Sequence, residues 1–263
     1  MTSSNNSMEK ILLAQFIAHL IADFFAQPEC FSREKQSQLF RSWHIYIHTL
    51  IVFVTSLAMT LACGFVMYAL AIAIIHFGID VLKCTTEHWL KKKKGIVEDQ
   101  YHTNHYLFFT DQILHLIVIY GAVAIYWCRE GNIPGYLEYF TVPALLTMAG
   151  FFLCMKPANV FIRVCLCSLN LPQTEDDKNN LERAGRWIGT IERLMTMALV
   201  LLQQYTAIGF IIAAKSVLRY KDSEAGKTEY VLIGTLLSFC VVLFIGVGIK
   251  SGAFEWFLRL ISY

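Results

Sequence analysis

The sequence predicts an all-α, polytopic integral membrane bundle of about seven transmembrane helices, within a range of six to eight. Three observations predict it. Of the 263 residues, 56% are hydrophobic and 16% are charged, whereas soluble domains carry about 25% charged residues. The mean hydropathy is positive. The apolar residues also gather into runs of roughly 20, the length that crosses a bilayer as a helix. Only helices and closed barrels satisfy their backbone groups in lipid, and these runs are too long for barrel strands.

In chain order the expected spans are 9–27, 43–63, 64–84, 105–127, 138–156, 190–214 and 229–249. The first reads as a span and not a signal peptide, because its apolar part is long and no small-residue cleavage site comes after it. Residues 1–128 form a four-helix membrane core, and 129–263 form carboxyl-terminal membrane helices with a cytoplasmic loop near 157–189. Gly209 and the polar "QQY" at 203–205 leave open a re-entrant course for the sixth span. The net charge of +2 is too slight for a nucleic-acid partner. Eight cysteines include no CxxC pair. The closest two, Cys165 and Cys167, fall in an interfacial segment, and the cysteines read as small apolar filler in helices. No glycine-rich phosphate loop, nucleophile elbow or repeat period is present.

Lysine and arginine set the orientation. Segments 28–42, 85–104, 157–189 with Lys156, and 250–263 carry three, four, five and two basic residues, 14 in all. The opposite side holds six: Lys10, Arg129, Lys215, Arg219, Lys221 and Lys227. The amino terminus is therefore expected outside, and the "KKKK" at 91–94 in the cytoplasm.

An ionised carboxylate at mid-membrane costs about 2.5–3.5 kcal/mol on the insertion scale, so polar residues inside these spans need a reason. The first span carries His19 and Asp23. The second carries His44 and His48, the third His76 and Asp80, and the fourth Asp111 and His115. Every pair is spaced i, i+4, which places both side chains on one helix face. The same spacing lets two ligands on one helix reach one metal ion, as in HExxH. At 1.5 Å per residue, His19 and Asp23 lie about 12 and 6 Å from the cytoplasmic end. His76 and Asp80 lie equally deep, His48 about 8 Å in, and Asp111 and His115 about 9 and 15 Å in, with His44 near the surface. Spans one and three run inward and two and four outward, yet all four pairs share a leaflet. Taken singly, an intramembrane histidine reads more simply as an interhelical hydrogen bonder. The common depth favours one shared site. His88, His102 and His105 read as solvated.

Imidazole and carboxylate without cysteine suit a divalent metal: zinc first, with manganese or iron as alternatives. Eight candidate ligands exceed the three or four that one zinc ion takes. Two ions bridged by an aspartate, or one ion with outer carboxylates orienting its histidines, both fit. Lys83 continues the His76–Asp80 face and either neutralises an aspartate, holds a substrate anion or snorkels to the interface. Glu192 and Arg193, adjacent and about 100° apart on the sixth span, cannot pair face to face. Glu192 either lines the site or serves as a capping or interhelical residue. Lys215, Arg219 and Glu229 read as a salt-bridged boundary between the last two spans.

The stretches "HLIADFFAQ" (19–27), "HFGIDVLK" (76–83), "DQILH" (111–115), "RWIGTIER" (186–193), "AAKSVLR" (213–219) and "EYVLIGTLLSF" (229–239) resemble a family of bacterial multi-pass membrane proteins catalogued as a domain of unknown function. The resemblance covers most of the chain and implies a bacterial inner-membrane location. More loosely, the His/Asp pairs resemble those of membrane-bound metal-dependent hydrolases of bacterial inner membranes.

Three function classes are open to such a chain. The first is a metal-dependent hydrolase of a lipid-linked or amphipathic substrate, with Asp80 (or Asp23 or Asp111) as base and Lys83 or Arg193 holding a phosphate or carboxylate. The second is a divalent-metal or proton transporter, against which the polar set occupies one leaflet only. The third is a membrane sensor or stress effector with a structural metal. The expected partners are membrane lipid and an amphipathic small molecule, with oligomerisation open.

Overall fold

The structure, a computed structural model, describes residues 2–27, 43–61, 63–94, 105–168, 181–220 and 225–262. The expected loops at 28–42 and 170–180, His102 and most of the segment after the lysine run lie outside the described residues. So do the side chains of Arg219 and Glu229.

Among the described residues the chain is all helical. It runs α1 (Thr2–Leu20) into a π-helical turn (Ile21–Phe25), then α2 (Trp43–Ala58), α3 (Val66–Lys94), α4 (His105–Glu130), α5 (Val142–Cys154) and α6 (Lys156–Ser168). It continues as α7 (Leu181–Leu201), α8 (Tyr205–Tyr220), α9 (Ala225–Lys250) and α10 (Ala253–Ile261). The chain divides into two compact units, Met1–Ala149 with Phe257–Tyr263, and Gly150–Trp256.

Local sequence accounts for the breaks. Thr141 caps α5, its hydroxyl accepting the Ala144 N–H at 3.3 Å, and Pro143 falls in the first turn, where a missing N–H costs nothing. Pro157 cannot continue α5, so α6 restarts there with a 49° bend. Gly131 (φ +62) and Gly252 (φ +73) end α4 and α9 in the left-handed conformation that glycine adopts without strain.

Of the seven expected spans, the described residues show three helices long and apolar enough to cross a membrane, Val66–Leu90, His105–Glu130 and Leu232–Lys250, or four if the bent pair α5–α6 counts as one. The expected sixth span is two helices. Gln203 takes φ 60, and the Gln204 N–H reaches back to the Leu199 carbonyl at 2.8 Å, which closes α7. The expected cytoplasmic loop at 157–189 is largely helical, holding α6 and the start of α7.

In the first unit, α3 packs against α2 and α4, and α1 packs against both α2 and α4. The outward faces are apolar: Leu70, Ile74 and Leu82 on α3, and Ile113, Ile117 and Ile125 on α4, are exposed. His48, His76, Asp80, Asp111 and His115 are buried instead. Polar residues inside and apolar residues outside invert the arrangement that water favours. At the end of this unit that carries Phe65, Tyr126 and Tyr136, Phe65 and Tyr126 meet edge to face, ring centroids 5.0 Å apart. The Tyr136 hydroxyl donates to the Met59 carbonyl, and burial pushes its phenol up to about 12.

In the second unit, α9 packs along α7 and α6 around a core of Cys154, Met197, Phe239 and Val242. Gly246 lets α9 approach closely, since a Cβ there would stand 2.8 Å from Val200 Cγ1.

Candidate metal centre

Four helical segments of the first unit, counting the π turn with α1, converge on one buried cluster. The end of α1 supplies His19, and the adjoining π turn supplies Asp23. That turn is closed by the Ala26 N–H on the Ile21 carbonyl at 2.8 Å, a five-residue reach that recurs at functional sites. Helix α2 supplies His48, α3 supplies His76 and Asp80, and α4 supplies Asp111 and His115.

Asp23 Oδ1 is the convergence point. It lies 3.6 Å from His19 Nδ1 and 3.5 Å from the Nε2 atoms of both His48 and His76. Those two Nε2 atoms are 3.1 Å apart. Asp80 Oδ2 stands on the same pair, 3.7 Å from His48 and 3.8 Å from His76. The His76 and His115 rings stack with centroids 3.9 Å apart and planes 19° apart. The His19 ring leans on both, at 5.9 Å from His76 and 5.4 Å from His115.

These residues form three ligand triads: His19–Asp23–His115, Asp23–His48–His76 and His76–Asp80–His115. Within each triad, one ligand atom per residue lies within 4.8 Å of the others. Ligand atoms held tetrahedrally by a zinc ion at about 2.0–2.1 Å stand about 3.3 Å apart. The 3.1 to 3.5 Å separations in the second triad are close to that spacing. Asp23 Oδ1, His19 Nε2 and both ring nitrogens of His115 are buried and have no hydrogen-bond partner among the described residues. Leaving such groups unpaired costs about 1–3 kcal/mol each, so the cluster calls for something that satisfies them. It could hold a metal ion.

The remaining residues singled out in the sequence fall elsewhere. His44 is half-buried, one turn before His48, and belongs to none of the triads. Asp111 is buried, with its Oδ1 3.9 Å from His115 Nδ1, too far for a hydrogen bond. Its Oδ2 takes the Lys83 ammonium at 2.8 Å. Lys83 therefore neutralises Asp111. Glu192 and Arg193 belong to the second unit, where each has its own partners. Glu192 pairs with Lys215. Arg193 donates to the Cys154 carbonyl at 2.7 Å, Ser238 Oγ at 2.9 Å, Asn159 Oδ1 and Thr190 Oγ1 at 3.2 Å. Its guanidinium joins α5, α6, α7 and α9 with four of its five donors used. His88 is exposed, and His105 meets Tyr106 with ring centroids 4.1 Å apart and planes tilted by 43°.

Sequence reasoning missed a second polar layer. Gln15 donates to the Ser56 carbonyl at 2.9 Å, and the Ser56 hydroxyl returns a bond to Gln15 Oε1 at 2.6 Å. With His19, His76 and Thr55 these residues line a small cavity beside the cluster. Glu9, Thr60 and Glu87 are buried as well. The signal was available, as Gln15 and Ser56 also interrupt apolar runs, but a lone amide or hydroxyl in a span is common and carries little weight.

The fold and this cluster define a class: an α-helical protein with three or four helices long enough to cross a membrane and a buried His/Asp centre able to hold a metal ion. A family model described as a protein of unknown function, DUF3307, matches residues 11–142. The chain belongs to that family. The matched segment contains all eight His and Asp residues of the four pairs and Lys83. "RWIGTIER", "AAKSVLR" and "EYVLIGTLLSF" lie beyond it, so the family match covers half the chain and not most of it. No curated protein and no solved structure matches the chain.

Proposed function

We propose that the protein is a multi-pass hydrolase of the bacterial inner membrane whose divalent metal, zinc first, is held by the His/Asp centre. The substrate is a lipid-linked or amphipathic molecule that reaches the centre from the cytoplasmic leaflet. One observation carries this reading: interlocking triads of His and Asp are buried, and ring nitrogens of His19 and His115 have no hydrogen-bond partner among the described residues. Each triad offers three protein ligands, the number used by catalytic zinc sites that keep a position open. A bound divalent ion supplies Lewis-acid polarisation and brings the pKa of water toward neutrality.

The chain's own residues take the remaining roles. Asp80 sits beside the His48–His76 pair and serves as general base. Lys83 holds Asp111 in place and keeps a partly exposed ammonium next to the centre. The exposed isoleucines and leucines of α3 and α4 present the site's walls to acyl chains. Arg193, committed to four acceptors, serves the second unit's fold and not the substrate.

The test is Asp80→Asn in the purified full chain. The variant should retain bound metal, measured by elemental analysis, and lose hydrolysis of lipid-linked phosphate and ester substrates in proteoliposomes. Equal turnover by wild type and variant would sink the assignment of the base. A metal-free wild type would sink the centre itself.

A second reading, transport of a divalent metal or of protons, gains support from buried Gln15 and Ser56 beside the cluster and buried Glu9 further along α1. Glu9 precedes Asp23 by fourteen residues, about 21 Å along α1, so buried polar groups are not confined to one leaflet's depth. Dissipation of a zinc or manganese gradient across proteoliposomes by the wild type would favour it over hydrolysis.

A further inference from the structure

The three triads interlock as a closed ring, and that ring limits how many ions can be held. Any two triads share one residue: Asp23 joins the first two, His76 the second and third, and His115 the first and third. If each residue gives one ligand atom to one ion, only one triad can be filled. Two can be filled only where the shared residue serves two ions at once. A neutral imidazole has a single lone pair to give, so His76 or His115 could be shared only after losing its second ring proton. A carboxylate has two oxygens and about four lone-pair sites. Asp23 is the one shared corner whose chemistry permits a bridge.

We propose that the centre is dinuclear, with two divalent ions bridged by the Asp23 carboxylate. The proposal rests on the reading that the cluster binds metal. One ion takes His19 and His115 with Asp23, and the other takes His48 and His76 with Asp23. Two further observations fit this division. Asp23 Oδ1 is reached by nitrogens of both sets at nearly equal distance, 3.6 Å from His19 and 3.5 Å from His48 and His76. His76 and His115, assigned to different ions, stack at 3.9 Å, and side-by-side imidazoles at that spacing address neighbouring positions. Two-metal hydrolytic sites hold their ions about 3.5–4 Å apart. Asp80 is left outside the bridge, against the His48–His76 pair, which agrees with its role as a base and not a required ligand.

The competing account is a single ion, with the remaining histidines hydrogen-bonded to one another, as the 3.1 Å His48–His76 contact would allow. The two accounts differ in stoichiometry and in magnetism. The full-length protein, purified in detergent and loaded with Mn(II), is measured by elemental analysis and by electron paramagnetic resonance. Two equivalents with an exchange-coupled signal, its hyperfine lines closer together than those of isolated Mn(II), support the bridge. His48→Ala and His115→Ala should each keep one equivalent and lose the coupling. One equivalent with an uncoupled signal in the wild type overturns the dinuclear proposal while leaving a metal centre in place. No bound metal in the wild type overturns the underlying reading too. The wild-type measurement decides the matter even if a variant fails to fold.

Discussion

Asp23 and His48 sit 3.5 Å apart although they come from different helices and only Asp23 lies in a π turn. That contact ties the end of α1 to α2 at the point where the buried His and Asp side chains meet. With His76 and His115 added, the centre draws on four elements, so each ligand is held by a different packing interface.

Acid should empty the centre. A ligating imidazole must be neutral and a ligating carboxylate ionised, so protons compete with the metal and occupancy falls as pH falls. Retained metal should therefore fall as the solution is acidified from neutral toward about pH 4. Equilibrium dialysis with subsequent elemental analysis across this range checks it. Flat occupancy down to pH 4 would contradict imidazole ligation.

The Lys83–Asp111 pair should behave as a buried couple. Asp111 is 4% exposed and Lys83 22%, so removing the lysine leaves a carboxylate with little solvent. Lys83→Met should destabilise by about 2–3 kcal/mol, below the 3–5 kcal/mol of a wholly buried pair. A double variant, Lys83→Met with Asp111→Leu, should recover much of that loss. Thermal unfolding of chelator-treated protein measures both without a contribution from metal. Additive losses would show that the two residues do not interact.

Arg193 should matter for stability and not for metal. Arg193→Ala removes the guanidinium donors from Ser238 Oγ, Asn159 Oδ1 and the Cys154 carbonyl, and should cost about 2–4 kcal/mol. Arg193→Lys should cost less but stay measurable, since one ammonium cannot reproduce the planar fork. Metal content per folded molecule should equal that of the wild type in both. A drop in metal at unchanged stability would assign Arg193 to the centre instead.

Two glycines should differ in tolerance. At Gly246 an added Cβ meets the stiff, β-branched Val200 at 2.8 and 3.1 Å. At Gly150 it meets the ends of Ile249 and Met197 at 2.7 and 2.8 Å, which can swing away. Gly246→Ala should cost about 1–3 kcal/mol and Gly150→Ala roughly half as much. The order of the two melting temperatures is the readout.

The centre was legible because its residues break a rule. Histidines and aspartates inside apolar runs are costly, so each stood out, and the i, i+4 spacing gave a shared face. What spacing could not give was reach. His44 lies on the face of His48 but one turn earlier on α2, outside the triads. Asp111 lies on the face of His115, yet a lysine from the neighbouring α3 claimed it, and that pairing exists only in three dimensions. The difference between seven expected spans and the three or four shown has local reasons. The break before α8 rests on Gln203 in a conformation that sequence associates with glycine. Helix α6 carries Lys156 and Arg163 beside its apolar residues, which lowered its hydropathy enough to resemble a loop. Arg193 was visible as a charge in a span, but its four neutral acceptors lie mostly on three other helices and leave no mark near it in the chain.

The π turn at Ile21–Phe25 gives the length of α1 a meaning of its own. A π turn holds one residue more than an α turn, and adding or removing a residue rotates the side chains beyond it by about 100° around the helix axis. Deleting Ala22, which is fully buried, would let the segment relax to ordinary α-helix and move the carboxylate from i+4 to i+3 relative to His19. Every ligand would still be encoded, yet Asp23 would be carried off the nitrogens that now surround it. Between His19 and Gln27 a one-residue gap therefore weighs as much as the loss of a ligand, and the number of residues there is itself part of the site.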